Sequence, residues 1–284
     1  MFVVTSLAAL PRSAAESLAR GYARLLDCAI PRLRGVGMRN LEFTMPSMTG
    51  PARRDLIDGV FRSIARVLVA FAKMPSISKS NVAEWIRYEG YEHFEEARRR
   101  GRGVLFATAH LGNWELSAFA HALLSRPMHV MVRPLDNPRI DQLVETRRAL
   151  SGNGLIQKKD FLRSILKALK DNEAVGVLID QNASLDEGVF VDLFGVPACC
   201  GTGFAKLAAH SGAAIIPGFA LWSESEKKYI LRFYPPIYAT GDAAEDTRVL
   251  HRHLETVIRA YPDQWLWIHR RWKTRPPGES SLYD

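Results

Sequence analysis

His110 and Glu115, in the segment ATAHLGNWELSAFA, are the residues whose types and spacing best suit general acid–base chemistry. The run VLFATAH before them reads as a buried strand and residues 114–124 read as a helix. The imidazole therefore falls at the carboxyl end of a strand, where sites gather in open α/β sheets. Leu111, Gly112 and Asn113 make a tight turn, with Asn113 a candidate N-cap. Such a turn can fold Glu115 back towards the ring, where a carboxylate on one nitrogen fixes the tautomer and stabilises the imidazolium. The other nitrogen is then free to take a proton from an attacking hydroxyl. The free amides of the new helix favour a developing negative charge. The plain alternative is a satisfied histidine beside a helix-capping glutamate. A bare H-x4-E carries little information; its strand–turn–helix setting carries more.

Two other polar residues also end strands. Asp180 follows the apolar run in VLIDQ and is placed to orient an arginine or another polar site group, or is simply a turn aspartate. Arg133 ends HVMVR, as a site group or as a surface arginine before Pro134. Arg147 and Arg148 lie near a helix end, where cations suit the dipole, and the pattern alone does not separate them. The segment CCGTGFAKLAAHSG lacks the spacing of GxGxxG or GxxxxGK[ST], so nucleotide binding is not supported. Gly201 and Gly203 are read as shaping the start of a helix, whose amides suit an anion.

The segment QWLWIHRRWKTRP mixes Trp265, Trp267 and Trp272 with His269, Arg270, Arg271, Lys273 and Arg275. That mixture fits single-stranded nucleic acid or a membrane interface. It fits most simply a packed C-terminal strand with a basic tail, and no recognised nucleic-acid module accompanies it. His93, His121, His129, His210, His251 and His253 lack ligand spacing and are read as surface or core residues. Cys28, Cys199 and Cys200 form no CxxC, so neither a disulfide framework nor a zinc site is expected. No G-x-S-x-G occurs either.

The elements that must position these groups fall into two textures. Residues 1–75 read as a helical N-terminal extension, expected to be membrane-proximal, with Leu18, Tyr22, Leu25 and Leu26 on one face of a helix closed by Pro31. A second helix carries Leu56, Val60, Ile64, Val67, Leu68 and Phe71 as a stripe, with Arg53, Arg62 and Arg66 elsewhere. Such a helix either packs on a core or lies on an anionic bilayer. Residues 2–10 are apolar, as a packed terminus or a shallow anchor, and no segment reaches the roughly 18 apolar residues of a transmembrane helix. From residue 76 to 284 strands alternate with helices at 137–150, 160–171, 201–211 and 243–261. This predicts a single α/β sandwich domain with a largely parallel central sheet. The net charge of +8 favours acidic partners without choosing among them.

The segments HLGNWE, VRPLDNPRIDQLVETRR, KKDFLRSILKALKDNEAVGVLIDQ, GVFVDLFGVPA and WLWIHRRWKTRPPG occur in this order. In content and order they resemble the bacterial lipid A biosynthesis (lauroyl/myristoyl) acyltransferases, a family within the lysophospholipid acyltransferase-like superfamily. The resemblance covers residue 80 to the end, with a weaker echo before it. It implies His110 as general base and Glu115 as its partner. Alignment on KKD makes Arg148 rather than Arg147 a supporting residue, beside Arg133 and Asp180. It implies an acyl group moved from acyl carrier protein or coenzyme A to a hydroxyl of a lipid A precursor or similar glycolipid, with neither metal nor cofactor. The implied partners are acyl carrier protein, an anionic membrane surface and the glycolipid, not nucleic acid. The implied place is the cytoplasmic face of the bacterial inner membrane, held peripherally. The segment DQNAS departs from the family's usual acidic-glycine continuation, and no EGTR-type segment is present, which disfavours a simple glycerophosphate acceptor. The alternative is a non-catalytic lipid-binding membrane-surface protein on the same fold.

Overall fold

The computed structural model describes residues 2–157 and 161–283. Lys158, Lys159 and Asp160, on which the KKD alignment rests, lie outside the described residues. Four helices come first: α1 (Phe2–Ala9), α2 (Arg12–Ala29), α3 (Pro31–Thr44) and α4 (Gly50–Lys73). They are followed by β1 (Ile86–Glu89), α5 (Tyr91–Arg99), β2 (Val104–Thr108), α6 (Trp114–Leu124), β3 (His129–Val132), α7 (Pro138–Ala149) and β4 (Gly154–Gln157). Then come α8 (Phe161–Lys170), β5 (Ala174–Leu178), β6 (Gly188–Leu193), β7 (Val196–Gly201), α9 (Gly203–Ser211), β8 (Ala214–Ser223), β9 (Lys228–Phe233) and α10 (Ala243–Ala260).

Seven strands form one sheet in the order β1-β9-β8-β2-β5-β3-β4. The five from β8 to β4 are mutually parallel; β9 pairs antiparallel to β8 and carries β1 parallel to itself. A largely parallel sheet must be covered on both faces, and its central strands then read as unbroken apolar runs. Strand β2 shows how. Val104 and Phe106 pack in a core shared with α1–α6, while Leu105 and Ala107 pack with Ile165, Leu169, Leu207 and Leu250 of α8, α9 and α10.

The N-terminal helices belong to that first core. Leu7, Leu41, Ile57 and Val60 are buried in it. In α4, Leu56, Val60, Val67 and Phe71 of the expected stripe are buried, and so are Ile57, Phe61 and Val69. A helix lying on a bilayer would leave that stripe to lipid; here protein covers it, each large side chain contributing about 1.5–3 kcal/mol. Arg66 stacks on Trp222 at 4.7 Å. On α2, Leu18, Tyr22 and Leu26 of the expected face pack partly buried against the core, and only Leu25 departs, being exposed. The fully buried residues of α2 are Ala15, Ala19 and Ala23, small side chains that let it lie close against α4. No helix among the described residues is long and apolar enough to cross a membrane.

Two other segments depart from expectation. The C-terminal run is no strand: it forms a short 3-10 turn at Pro262–Gln264 and then irregular turns. Trp265, Trp267 and Trp272 are nevertheless buried, the first two rings in edge contact at 4.6 Å. Their indoles fill the core rather than present faces to bases or lipid. The β6–β7 hairpin was not foreseen. Its two-residue turn has Phe194 and Gly195 at φ 57° and 78°, the backbone of a I′ hairpin. The Phe194 ring packs against Trp265 and Trp267, with the Arg259 guanidinium over it at 4.7 Å.

Candidate active site

Strands β2 and β5 are in parallel register, Thr108 opposite Leu178. Two residues beyond each strand end, His110 and Asp180 therefore arrive side by side. The His110 amide donates to Asp180 Oδ2 at 2.9 Å, and ring Nδ1 lies 3.0 Å from Oδ1. The Trp265 indole N–H donates to Oδ2 at 2.9 Å. An ionised carboxylate only accepts, so in the neutral ring Nδ1 carries the proton and Nε2 keeps the lone pair. Asp180 is 4% exposed and His110 19%: the carboxylate is sealed while the ring stays reachable.

Electrostatics follow from this geometry. Burial pulls the His110 pKa down, but the charge and hydrogen bond of Asp180 outweigh it, with help from Glu115 and against Arg148, so the net shift is upward from 6.5. Burial pushes Asp180 up. The nearby imidazolium and the bonds from His110 and Trp265 prevail, and hold it well below the usual carboxylate range. Both shifts describe one pair that favours imidazolium beside carboxylate.

The turn after His110 is fixed from two sides. The Leu266 amide donates to the His110 carbonyl, the Gly112 amide to Gln264 and the Asn113 amide to Ala220. Gly112 has φ +66°, and a Cβ there would sit 2.0 Å from the Ala220 carbonyl oxygen, so only glycine fits. Asn113 caps α6 by accepting from the Leu116 amide at 3.0 Å.

Glu115 is not the carboxylate on the ring. As the second residue of α6 it turns towards α7 and takes a two-pronged contact from Arg148, Nε to Oε2 at 2.9 Å and Nη2 to Oε1 at 2.6 Å. The expectation set Glu115 on the imidazole and left Asp180 to orient an arginine or another polar group; the structure puts Asp180 on the ring and the arginine on Glu115. Arg147 instead donates to the Ala72 carbonyl of α4. Arg133 is exposed beyond β3 and outside this network.

Beneath α6 lies a narrow cavity of about 60 Å³. Phe106, Phe119, Met128, Val130, Leu231 and Phe233 make it apolar, and Thr108, Trp114, Glu115 and Arg148 also line it. His121 also lines it, held by Tyr88 at 2.6 Å and kept neutral by burial, which pushes its pKa down to about 3, with Arg126 acting the same way. A second, much smaller cavity touches His110 itself, between α4 and residues 264–266; Trp114 lines both. A wider groove of about 570 Å³ on the opposite sheet face contains none of the expected site residues. Among the described residues no three His, Cys, Asp or Glu side chains gather as a metal site.

Residues 1–274 match the bacterial lipid A biosynthesis acyltransferase family. The chain belongs to that family. It is 32% identical to the lipid A biosynthesis lauroyltransferase of Escherichia coli K12, over 96% of this chain and 90% of that protein. It is 32% identical to the palmitoleoyltransferase of the same strain, over 89% and 83%, and 23% identical to its myristoyltransferase, over 86% and 76%. The chain is thus an acyltransferase, and the non-catalytic alternative falls away.

Sequence reasoning about this acyltransferase missed two things. Trp265 was noted as an interfacial or packing indole, yet it hydrogen-bonds the carboxylate that holds His110. Helix α4 was read as packing on a core or lying on a bilayer and not as part of the site, yet Val60, Ser63, Ile64 and Val67 wall the His110 cavity. Neither left a local signal, since each contact joins residues far apart in the chain.

Proposed function

We propose that the protein transfers a fatty acyl chain from acyl carrier protein to a hydroxyl of a lipid A precursor, with His110 as general base. The reading is supported above all by a reachable imidazole whose Nδ1 is held by a sealed carboxylate, in a family of lipid A acyltransferases. An alcohol is far too weak an acid to ionise near neutral pH, so its proton must leave as it attacks. His110 Nε2 takes that proton while the oxygen attacks the thioester carbonyl directly. Asp180 stabilises the imidazolium. Arg148, oriented by Glu115, adds positive charge near the developing oxyanion, where preorganised donors act most strongly. Collapse expels the carrier thiolate, which recovers the proton from His110. The apolar cavity beneath α6 takes the acyl chain, each buried methylene contributing about 0.8 kcal/mol.

A peripheral place on an anionic inner-membrane surface is part of the proposal. Strands β3 and β4 run parallel to β2 and β5, so both end on the side of the sheet where His110 lies. In the segments that follow them Leu135, Ile140, Phe161 and Leu162 are exposed, with Arg133, Arg139 and Arg163 among them. Apolar side chains beside arginines suit a headgroup layer.

Purified protein, a lipid A precursor and labelled acyl thioester provide the test. Transfer is expected with the carrier-protein donor and weaker transfer with coenzyme A. Ordinary transfer by a folded His110→Ala protein would falsify the base.

A further inference from the structure

Helix α4 supplies Ser63 to the wall of the His110 cavity, and Ser63 is only 4% exposed. Buried hydroxyls in helices commonly return to a carbonyl one turn back. Buried Thr44 and Thr247 do so in this chain, as do half-buried Ser211 and exposed Thr146. Ser63 does not, and its hydroxyl makes no hydrogen bond to any other described residue. The Ser63 oxygen is not one of the sealed unpaired polar atoms, so it stays reachable and its bonding capacity is open.

The other polar groups of the same wall are already committed. Gln264 accepts from the Trp222 amide and donates to the Trp222 carbonyl. Trp114 donates to Glu115, and Trp265 to Asp180. His110 Nδ1 is spent on Asp180. Two side-chain positions keep hydrogen-bonding capacity: His110 Nε2 and the Ser63 hydroxyl. Val60, Ile64, Val67 and Leu266 make the rest apolar. The cavity measures about 10 Å³, room for a single oxygen-sized group.

We infer that Ser63 contacts the acceptor: it donates its O–H to the alcohol oxygen while that alcohol donates to His110 Nε2. This rests on the proposed acyl transfer at His110 and adds a substrate-contacting residue to it. With one lone pair occupied by Ser63 and its proton directed at the imidazole, the alcohol keeps its second lone pair for the carbonyl carbon. The helix of the N-terminal extension thereby enters the reaction centre. Without acceptor, the same two groups suit one water molecule.

The test compares Ser63→Ala and Ser63→Cys with the parent in two measurements. One is thermal unfolding. The other is steady-state transfer, varying lipid acceptor and acyl carrier protein thioester separately. Expected for both variants is an unchanged or raised unfolding midpoint, with kcat/KM for the acceptor down about five- to tenfold, the size of one neutral hydrogen bond. KM for the thioester should stay as it was, and Ser63→Thr should recover part of the rate. Wild-type acceptor kinetics in Ser63→Ala, or a lowered midpoint with activity lost in proportion for both substrates, overturns the inference. His110→Ala run alongside separates the two claims: if it still transfers, the base has failed; if it is inactive while Ser63→Ala is normal, only the serine has.

Discussion

Asp180 and Glu115 are two shielded carboxylates close to one histidine, and their surroundings differ. Asp180 takes three hydrogen bonds from His110 and Trp265, at the centre of a parallel sheet. Glu115 takes its strongest contacts from one guanidinium, and that guanidinium comes from α7, a helix with no buried residue. The first carboxylate is therefore set by strand register, the stiffest feature of the fold. The second fastens a loosely packed helix to the site. A carboxylate's role follows from what holds it, not from how close it lies in the chain.

Four experiments would break or sharpen that contrast. On the proposed mechanism His110→Ala should lower turnover by about 10⁴-fold with the fold intact, read by transfer rate and circular dichroism. Asp180→Asn should cost on the order of 10³-fold, because the ring stays while its tautomer and charge support go. This variant should also move the pH profile. On that mechanism neutral His110 is the active form, and its pKa is raised, so the parent's kcat/KM should fall as pH drops through a value above 6.5. Removing Asp180 deletes the main upward cause and leaves burial, with Glu115 and Arg148 opposing each other, so the limb should shift to lower pH. An unmoved limb would detach Asp180 from the base. The same pair gives a linkage sign. The raised His110 contributes stability below its unfolded pKa and loses it as pH rises through the folded value. The depressed Asp180 contributes above its unfolded pKa and loses it as pH falls through the folded value.

Glu115→Gln and Arg148→Ala should each cost roughly 10–100-fold in rate through a lost charge-assisted pair. Their charges act on His110 in opposite directions, so the double variant should leave the acid limb in place. A limb that follows Glu115 alone would restore it to the imidazole. The smallest effect belongs to Arg133→Ala, expected to weaken binding to anionic vesicles about fivefold, near 1 kcal/mol. Its turnover on detergent-dispersed substrate should hardly change.

The strongly patterned parts of the fold were readable in advance. Helices α6, α7, α9 and α10 and strands β2, β5, β8 and β9 lie where periodicity and caps put them. Short β1 and β4 passed unnoticed, because four residues carry too little pattern. Trp265 looked like a strand residue because alternating indoles imitate a pleat. Only the docking of residues 264–266 on the HLGN turn shows otherwise.

The amino-acid order by itself determined which groups end strands: His110 and Asp180 each follow an apolar run, and that placement needs only local propensity. It also determined the glycine at 112 and the cap at 113. Tertiary structure decided which of these groups meet. Strand register set Asp180, rather than Glu115, on the imidazole, and helix packing carried Ser63 to the same cavity. Pairing across 70 residues of chain depends on which strands become neighbours, a free-energy balance over the whole core that no local pattern encodes.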